Sequence, residues 1–194
     1  VTPRMILTRE AFENAIATDN AIGASTNSVL HLIAIAAECG VELTYDMFAK
    51  ASAKTPNLCK LSPATEYDMD ALGKAGGIMA VLKQLGDHGL INGGVRTVSG
   101  RTLAEEYAES EILDPSIIHT VEEPLSPTGG LAFLKGNIAE NGAVVKRSAV
   151  RKEMLTFTGT AKCFDSEEEA VSAIMAGKIQ AGNVVVIRYE GPMG

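Results

Sequence analysis

The sequence contains no tryptophan, and aromatic residues make up only 5% of it, so a hydrophobic core must rest on aliphatic side chains and methionine. No apolar run is long enough to cross a membrane as a helix. The net charge of −7 argues against a surface that binds nucleic acid without regard to sequence, because such a surface needs clustered Lys and Arg. The 194 residues suffice for one domain or two small ones.

Cysteine is also scarce. Cys39, Cys59 and Cys163 are too far apart for the C-x-x-C spacing of a metal knuckle or redox motif. We interpret them as reduced thiols of a cytoplasmic protein. None of the three histidines has a second ligand at metal spacing, and we expect all three to be structural or surface residues.

The sequence before residue 122 has mostly helical periodicity. It predicts helices over residues 8–21, from about 29 to a stop at Gly40, over 44–54, around 69–72 and 78–85, and from a capping box formed by Thr102 and Glu105. Residues 122–130 are rich in proline and glycine and mark the best boundary in the chain.

After this boundary the pattern turns to strands. We expect strands over residues 131–135, 143–146 and 161–164 and a buried strand from Val184 to Ile187, with a turn at Asn141-Gly142 before the second. A helix beginning at Ser166 should direct Val171, Ile174 and Met175 inward, because their spacing places them on one face.

The final strand leads to the first candidate for function, Glu190. A carboxylate at the end of a buried strand, beside a Gly/Pro segment, is a common arrangement for holding a hard cation or a polar substrate. The alternative is a charge at the end of a strand that points to water.

The second candidate is the loop containing Ser25, Thr26 and Asn27, which precedes an amphipathic helix. Small polar side chains at a helix N-terminus suit an anionic ligand. They suit an ordinary N-cap equally well, since each offers an oxygen to the free amides of the first turn.

A set of motifs in fixed order carries a family resemblance. They are GASTNSVLHL at 23–32, AGGI at 75–78, TVSGRTL at 97–103, PTGGL at 127–131, GNIA at 136–139, GAVVK at 142–146, FDSEE at 164–168 and VIRYEGP at 186–192. In this order and spacing the chain resembles the dihydroxy-acid dehydratase family, which also contains phosphogluconate and sugar-acid dehydratases.

The resemblance implies an α/β (α+β) protein: residues 1–122 would be the helical end of an N-terminal α/β domain. Residues 123–194 would be the first, incomplete part of a β-barrel-like swivelling domain. The resemblance also implies the activity of a hydro-lyase in branched-chain amino-acid (valine and isoleucine) biosynthesis. It further implies a cytoplasmic homodimer that binds a small-molecule substrate, and neither nucleic acid nor a membrane.

The resemblance also implies cofactors. Glu190 falls on the glutamate that binds Mg²⁺ in the family, and Ser25, Thr26 and Asn27 fall on a loop that lines the substrate site, although Ala24 stands where glycine is usual. The iron–sulfur cysteines and the serine base of the family would lie outside this sequence. We therefore expect a fragment that has no catalytic residue of its own and is inactive in isolation.

Two alternatives stay open at this point. One is the same chemistry on a sugar acid or on 6-phosphogluconate. The other is a non-catalytic binding or scaffold module that kept the fold and lost the reaction.

Overall fold

The structure, a computed structural model, describes residues 1–191, so Pro192 of the VIRYEGP motif lies outside the described residues. The chain divides into two compact units, Val1–Val150 and Arg151–Gly194. No helix within residues 1–191 has both the length and the apolar character needed to cross a membrane.

The first unit begins with seven helices. They are α1 (Pro3–Ile6), α2 (Arg9–Ile22), α3 (Asn27–Glu38), α4 (Tyr45–Lys54), α5 (Met69–Lys74), α6 (Gly77–Asp87) and α7 (Leu103–Tyr107). Helix α2 ends at Gly23 in the left-handed conformation (φ 58°), which glycine adopts without steric cost. The capping box of Thr102 and Glu105 is confirmed at the start of α7. The helical periodicity before residue 122 is therefore confirmed.

Helix α2 separates two hydrophobic clusters. The first cluster packs the end of α2 against α5, α6 and two buried loop segments, and its buried residues include Leu58, Leu72, Val81, Leu85 and Ile118. The second cluster packs the other side of α2 against α3 and α4, with Phe12, Ile16, Phe48 and Leu131 buried. These clusters fix the C-terminal end of α2, from which the loop of Ser25, Thr26 and Asn27 extends.

A two-stranded hairpin closes the first unit. Strand β1 (Ala132–Gly136) pairs antiparallel with β2 (Ala139–Val145). The prediction of a turn at Asn141-Gly142 is wrong, because both residues lie inside β2. Gly142 packs against the ring of Tyr45, which would lie 2.5 Å from a Cβ at that position. The Tyr45 hydroxyl lies 2.6 Å from the Leu134 carbonyl oxygen and 2.8 Å from that of Ala143, so it bonds to both strands.

The second unit contains β3 (Thr160–Phe164), α8 (Glu167–Met175) and β4 (Asn183–Ile187). The two strands pair in parallel, and α8 forms the crossover between them. The prediction that Val171, Ile174 and Met175 point inward is wrong: they are exposed, and α8 buries Ala170 and Ala173 instead. The smaller residues lie on the helix that packs against both β3 and β4.

The fold is thus mixed α/β, as the sequence predicts. Each of the two sheets in the described part of the chain has two strands, and those strands do not form a closed barrel. The predicted barrel-like character of residues 123–194 is therefore not confirmed in the part of the chain that the structure describes. The predicted domain division at residue 122/123 stays a prediction.

Candidate functional site

The loop between α2 and α3 is held in place by a glycine pair from a distant part of the sequence. The Gly130 amide donates to the Asn20 carbonyl oxygen over 2.9 Å, and the Gly129 amide donates to that of Ser52 over 2.8 Å. A Cβ on Gly130 would lie 2.4 Å from the Gly23 Cα, so only glycine permits this approach. The PTGGL motif therefore supports the start of the GASTN motif directly.

Beside this loop lies a cavity of about 440 Å³ within the first unit. Ser25 and Thr26 line it, whereas Asn27 is not among its lining residues. The other lining residues are Ile22, Gly23, Ala24, Leu61, Ser62, Pro63, Asp68, Met69 and Lys146. A substrate-binding role for Ser25, Thr26 and Asn27 stays a prediction, but two of the three hydroxyl or amide side chains do border a space that could hold a small molecule.

The hydrogen bonds of the loop assign different roles to its two hydroxyl groups. Ser25 Oγ accepts from the Asn27 amide over 3.2 Å and so acts as a local cap of α3. The Thr26 side chain makes no capping hydrogen bond. The Thr26 hydroxyl, and the proton of Ser25 Oγ, therefore have no internal acceptor in the part of the chain that the structure describes.

Two charged groups lie just behind the loop. Asp19 is buried in α2, and its Oδ2 accepts from Ser28 Oγ over 2.6 Å. Burial raises the pKa of Asp19 to about 6, while the hydrogen bond from Ser28 and the charge of Lys146 oppose that shift. Lys146 is half-buried at the end of β2, and burial lowers its pKa while the charge of Asp19 raises it.

Sequence reasoning missed both residues. Nothing local distinguishes Asp19, which lies in the middle of a helix. Lys146 had a usable signal, because it directly follows the apolar pair Val144-Val145. Glu190 has a similar position, two residues after the apolar pair Val186-Ile187. A charge just after an apolar strand therefore indicates a candidate site residue in both places.

A larger cavity of about 680 Å³ lies on the other side of α2. Its lining is mainly apolar, with Ile6, Leu32 and Val98 among the contributors. The buried polar side chains on its wall already have partners: Asn14 exchanges two hydrogen bonds of 2.8 Å with the Asn92 backbone, and Asp19 accepts from Ser28. The smaller cavity is the better candidate for a polar ligand, because the side chains of Thr26 and Lys146 on its wall make no hydrogen bond within residues 1–191.

Glu190 lies in the second unit, beyond the end of β4. Its Oε1 accepts from the Glu167 amide over 2.9 Å, at the first residue of α8. The residue before it, Tyr189, has a left-handed backbone (φ 62°) although it is not glycine. Such strain is retained where the surroundings impose it and is concentrated at functional sites. Glu190 is exposed, and its Oε2 makes no hydrogen bond within residues 1–191.

These residues fit a metal only in part. The free carboxylate oxygen of Glu190 is the donor type that Mg²⁺ prefers, but no group of three His, Cys, Asp or Glu side chains within residues 1–191 could complete a site. An iron–sulfur cluster does not fit the cysteines described here. Such a cluster needs several thiolate ligands together, and within residues 1–191 no three His, Cys, Asp or Glu side chains come close enough to hold a metal.

Two family models match the chain. Residues 1–106 match the model described as "Dihydroxy-acid/6-phosphogluconate dehydratase N-terminal", and residues 116–194 match the corresponding C-terminal model. Together the two models cover nearly all of the sequence. The matches run through both candidate sites, since the first includes Ser25 to Asn27 and the second includes Glu190.

Three relatives, each named dihydroxy-acid dehydratase, illustrate the similarity. The chain is 55% identical to the protein from Caldanaerobacter subterraneus subsp. tengcongensis, 52% to that from Ignicoccus hospitalis and 50% to that from Ruminiclostridium cellulolyticum. Each alignment covers 100% of this chain and 35% of the relative. The chain thus spans about a third of the length of these relatives, and it belongs to the dihydroxy-acid/6-phosphogluconate dehydratase family.

Proposed function

We propose that the chain is part of a hydro-lyase that converts a 2,3-dihydroxy carboxylic acid to a 2-keto acid, in branched-chain amino-acid biosynthesis. The observation that carries the proposal is the match over all 194 residues to proteins named for this activity, at 50% to 55% identity. The whole protein would be a cytoplasmic homodimer, with the region after residue 123 completing a barrel-like domain.

Glu190 supports this proposal through its geometry. Removing water from such an acid requires a proton to leave the carbon beside a carboxylate, and the negative charge that develops there must be stabilised. A bound Mg²⁺ would supply that stabilisation as a Lewis acid. Glu190 would contribute Oε2 as one ligand, while the Glu167 amide orients the carboxylate through Oε1.

The loop hydroxyls would have a different task. Thr26 Oγ1 and the proton of Ser25 Oγ can donate to a polar substrate in the cavity of about 440 Å³, and Asn27 would complete the loop. The iron–sulfur cluster proposed for the whole enzyme would be held by residues outside this chain. No step of the reaction is therefore assigned to Cys39, Cys59 or Cys163.

The proposal is tested by Glu190→Gln in the full-length protein. Glutamine keeps the shape and can still accept from the Glu167 amide, but it removes the charge that binds the metal. We expect dehydration of 2,3-dihydroxyisovalerate to fall by about 100-fold or more, with unchanged circular dichroism.

The matched control is Glu168→Gln, which removes an exposed carboxylate from the same helix terminus. It should leave turnover within about twofold of wild type. Near-normal turnover of Glu190→Gln at saturating Mg²⁺ would contradict the metal role, and a wild-type enzyme inactive on the dihydroxy acid would contradict the proposed reaction.

A further inference from the structure

Lys146 is the only basic residue among those that line the cavity of about 440 Å³. It lies at the end of β2, while Ser25 and Thr26 come from the loop before α3. Asp68 is the one acidic residue of the lining, and it is exposed at the start of α5, where its Oδ1 accepts from the Ala71 amide over 2.9 Å. The lining of the cavity thus contains one lysine and one acid that already caps a helix.

The ammonium group of Lys146 is only partly compensated: burial lowers its pKa by more than the charge of Asp19 raises it. It is half-buried, yet none of the ion pairs or side-chain hydrogen bonds within residues 1–191 involves it. Withdrawing an ammonium group from water is costly unless an anion or a set of acceptors compensates. Asp19 is the nearest compensating charge, but its carboxylate is bonded to Ser28 and does not line this cavity.

We propose that Lys146 binds the carboxylate of a 2-hydroxy acid in this cavity, with Thr26 and Ser25 as neighbouring hydroxyl donors. The inference rests on the proposed function, because it takes the anion to be the acid group of the substrate. An ammonium-to-carboxylate hydrogen bond is about twice as strong as a neutral one, so Lys146 would determine that the ligand must be an acid. It is a specificity-determining residue in this assignment.

The competing explanation is that Lys146 only offsets the buried charge of Asp19. In that case its removal would change the stability of the protein and not its affinity for acids. The two explanations differ in their dependence on the charge of the ligand, which can be measured directly.

The experiment uses the full-length protein and two unreactive probes, 2-hydroxyisovalerate and its uncharged amide, 2-hydroxyisovaleramide. Calorimetry would give the Kd of each probe for wild type, Lys146→Met and Lys146→Arg. We expect Lys146→Met to weaken binding of the acid by about 10-fold to 100-fold, the effect of losing a charged hydrogen bond. Binding of the amide should change by less than about threefold, and arginine should restore most of the affinity for the acid.

Lys135→Met is the matched control, since Lys135 is a lysine of the same hairpin that pairs with Asp46 outside the cavity. It should bind both probes as wild type does. If Lys146→Met does not fold, Lys146→Gln, which keeps the polarity and much of the volume, carries the same test.

Equal loss of acid and amide binding, or no loss of either in a folded variant, would overturn the assignment. A second result would also overturn it: Lys146→Met binds the acid normally but is less stable, and adding Asp19→Asn restores that stability. This result would favour the competing explanation. These results are independent of the proposed reaction, because neither probe is turned over. An enzyme that dehydrates the dihydroxy acid while Lys146→Met binds the acid normally would refute this inference alone.

Discussion

The two compact units bury their apolar residues to very different extents. In the first unit, Phe48, Leu58 and Ile118 are fully buried. In the second unit, β4 forms where the sequence predicts a strand, but the prediction that it is buried is wrong: Val184 is 37%, Val185 36% and Ile187 41% exposed. The difference shows that a run of β-branched residues predicts a strand that can be buried. Whether it is buried depends on other segments that cover it. In the first unit those segments are present within the same 150 residues.

The largest effect expected from this difference is at Phe48. Phe48→Ala should reduce the local free energy of opening in the first unit by about 3–5 kcal/mol, because it removes a fully buried ring between α2, α4 and β1. Val184→Ala should cost less than about 1 kcal/mol in the second unit, because much of its side chain is already in water. Hydrogen exchange with mass spectrometry would report each unit separately.

Similar losses for the two variants would show that β4 is covered within the 194-residue chain and would break the comparison. In the full-length protein, by contrast, Val184→Ala should reduce the free energy of opening by more than it does in the 194-residue chain. We expect that increase, because we propose that the whole protein completes the domain around β4.

The next effect concerns backbone packing and not side-chain burial. Gly130→Ala should destabilise the first unit by about 2–3 kcal/mol, because its Cβ would lie 2.4 Å from the Gly23 Cα. Gly136→Ala is the control, with no atom within 4 Å of the new Cβ, and should change stability by less than about 0.5 kcal/mol. Urea unfolding followed by circular dichroism would measure both. Equal stabilities would mean that the loop before α3 can move away from the glycine pair.

The smallest effect has the opposite sign. Asp19→Asn should stabilise the first unit by about 2 kcal/mol at pH 7, because the pKa of Asp19 is raised to about 6 by burial. Between about pH 4 and pH 6 the folded state binds more protons than the unfolded state, so wild-type stability falls as the pH rises. The variant should not show this fall, and the two proteins should converge near pH 4.

Urea midpoints at pH 4, 5, 6 and 7 would check this prediction. A variant that is less stable than wild type at pH 7 would mean that the Asp19 charge is needed by Lys146. Either result shows whether burial of the Asp19 carboxylate, unlike burial of the apolar side chains, lowers the stability of the first unit.

The helices of the first unit could be predicted because their signals are local. An apolar stripe, a capping residue such as Thr102 and a terminal glycine such as Gly23 lie within a few residues of the element that they define. The turn at Asn141-Gly142 could not be judged in this way. Its glycine serves a contact with Tyr45, almost a hundred residues earlier, and that contact overrides the local preference for a turn.

The candidate site shows the same limit. Ser25 and Thr26 could be singled out because small polar residues before a helix form a recognisable pattern. Lys146 joins them only through the hairpin, and Asp19 carries no sign in the sequence that its carboxylate will be buried. The inward face of α8 was predicted wrongly because periodicity identifies an apolar stripe but not the segment that will cover it.

The bond from Tyr45 to both strands of the hairpin has a consequence for how the protein can be divided. Tyr45 falls within the N-terminal family match and the hairpin within the C-terminal one, yet both belong to one compact unit. Cutting between the matched regions would therefore separate a phenol from the two carbonyl groups that it holds together. A piece intended to be soluble and well folded should instead extend to Val150, where the first unit ends.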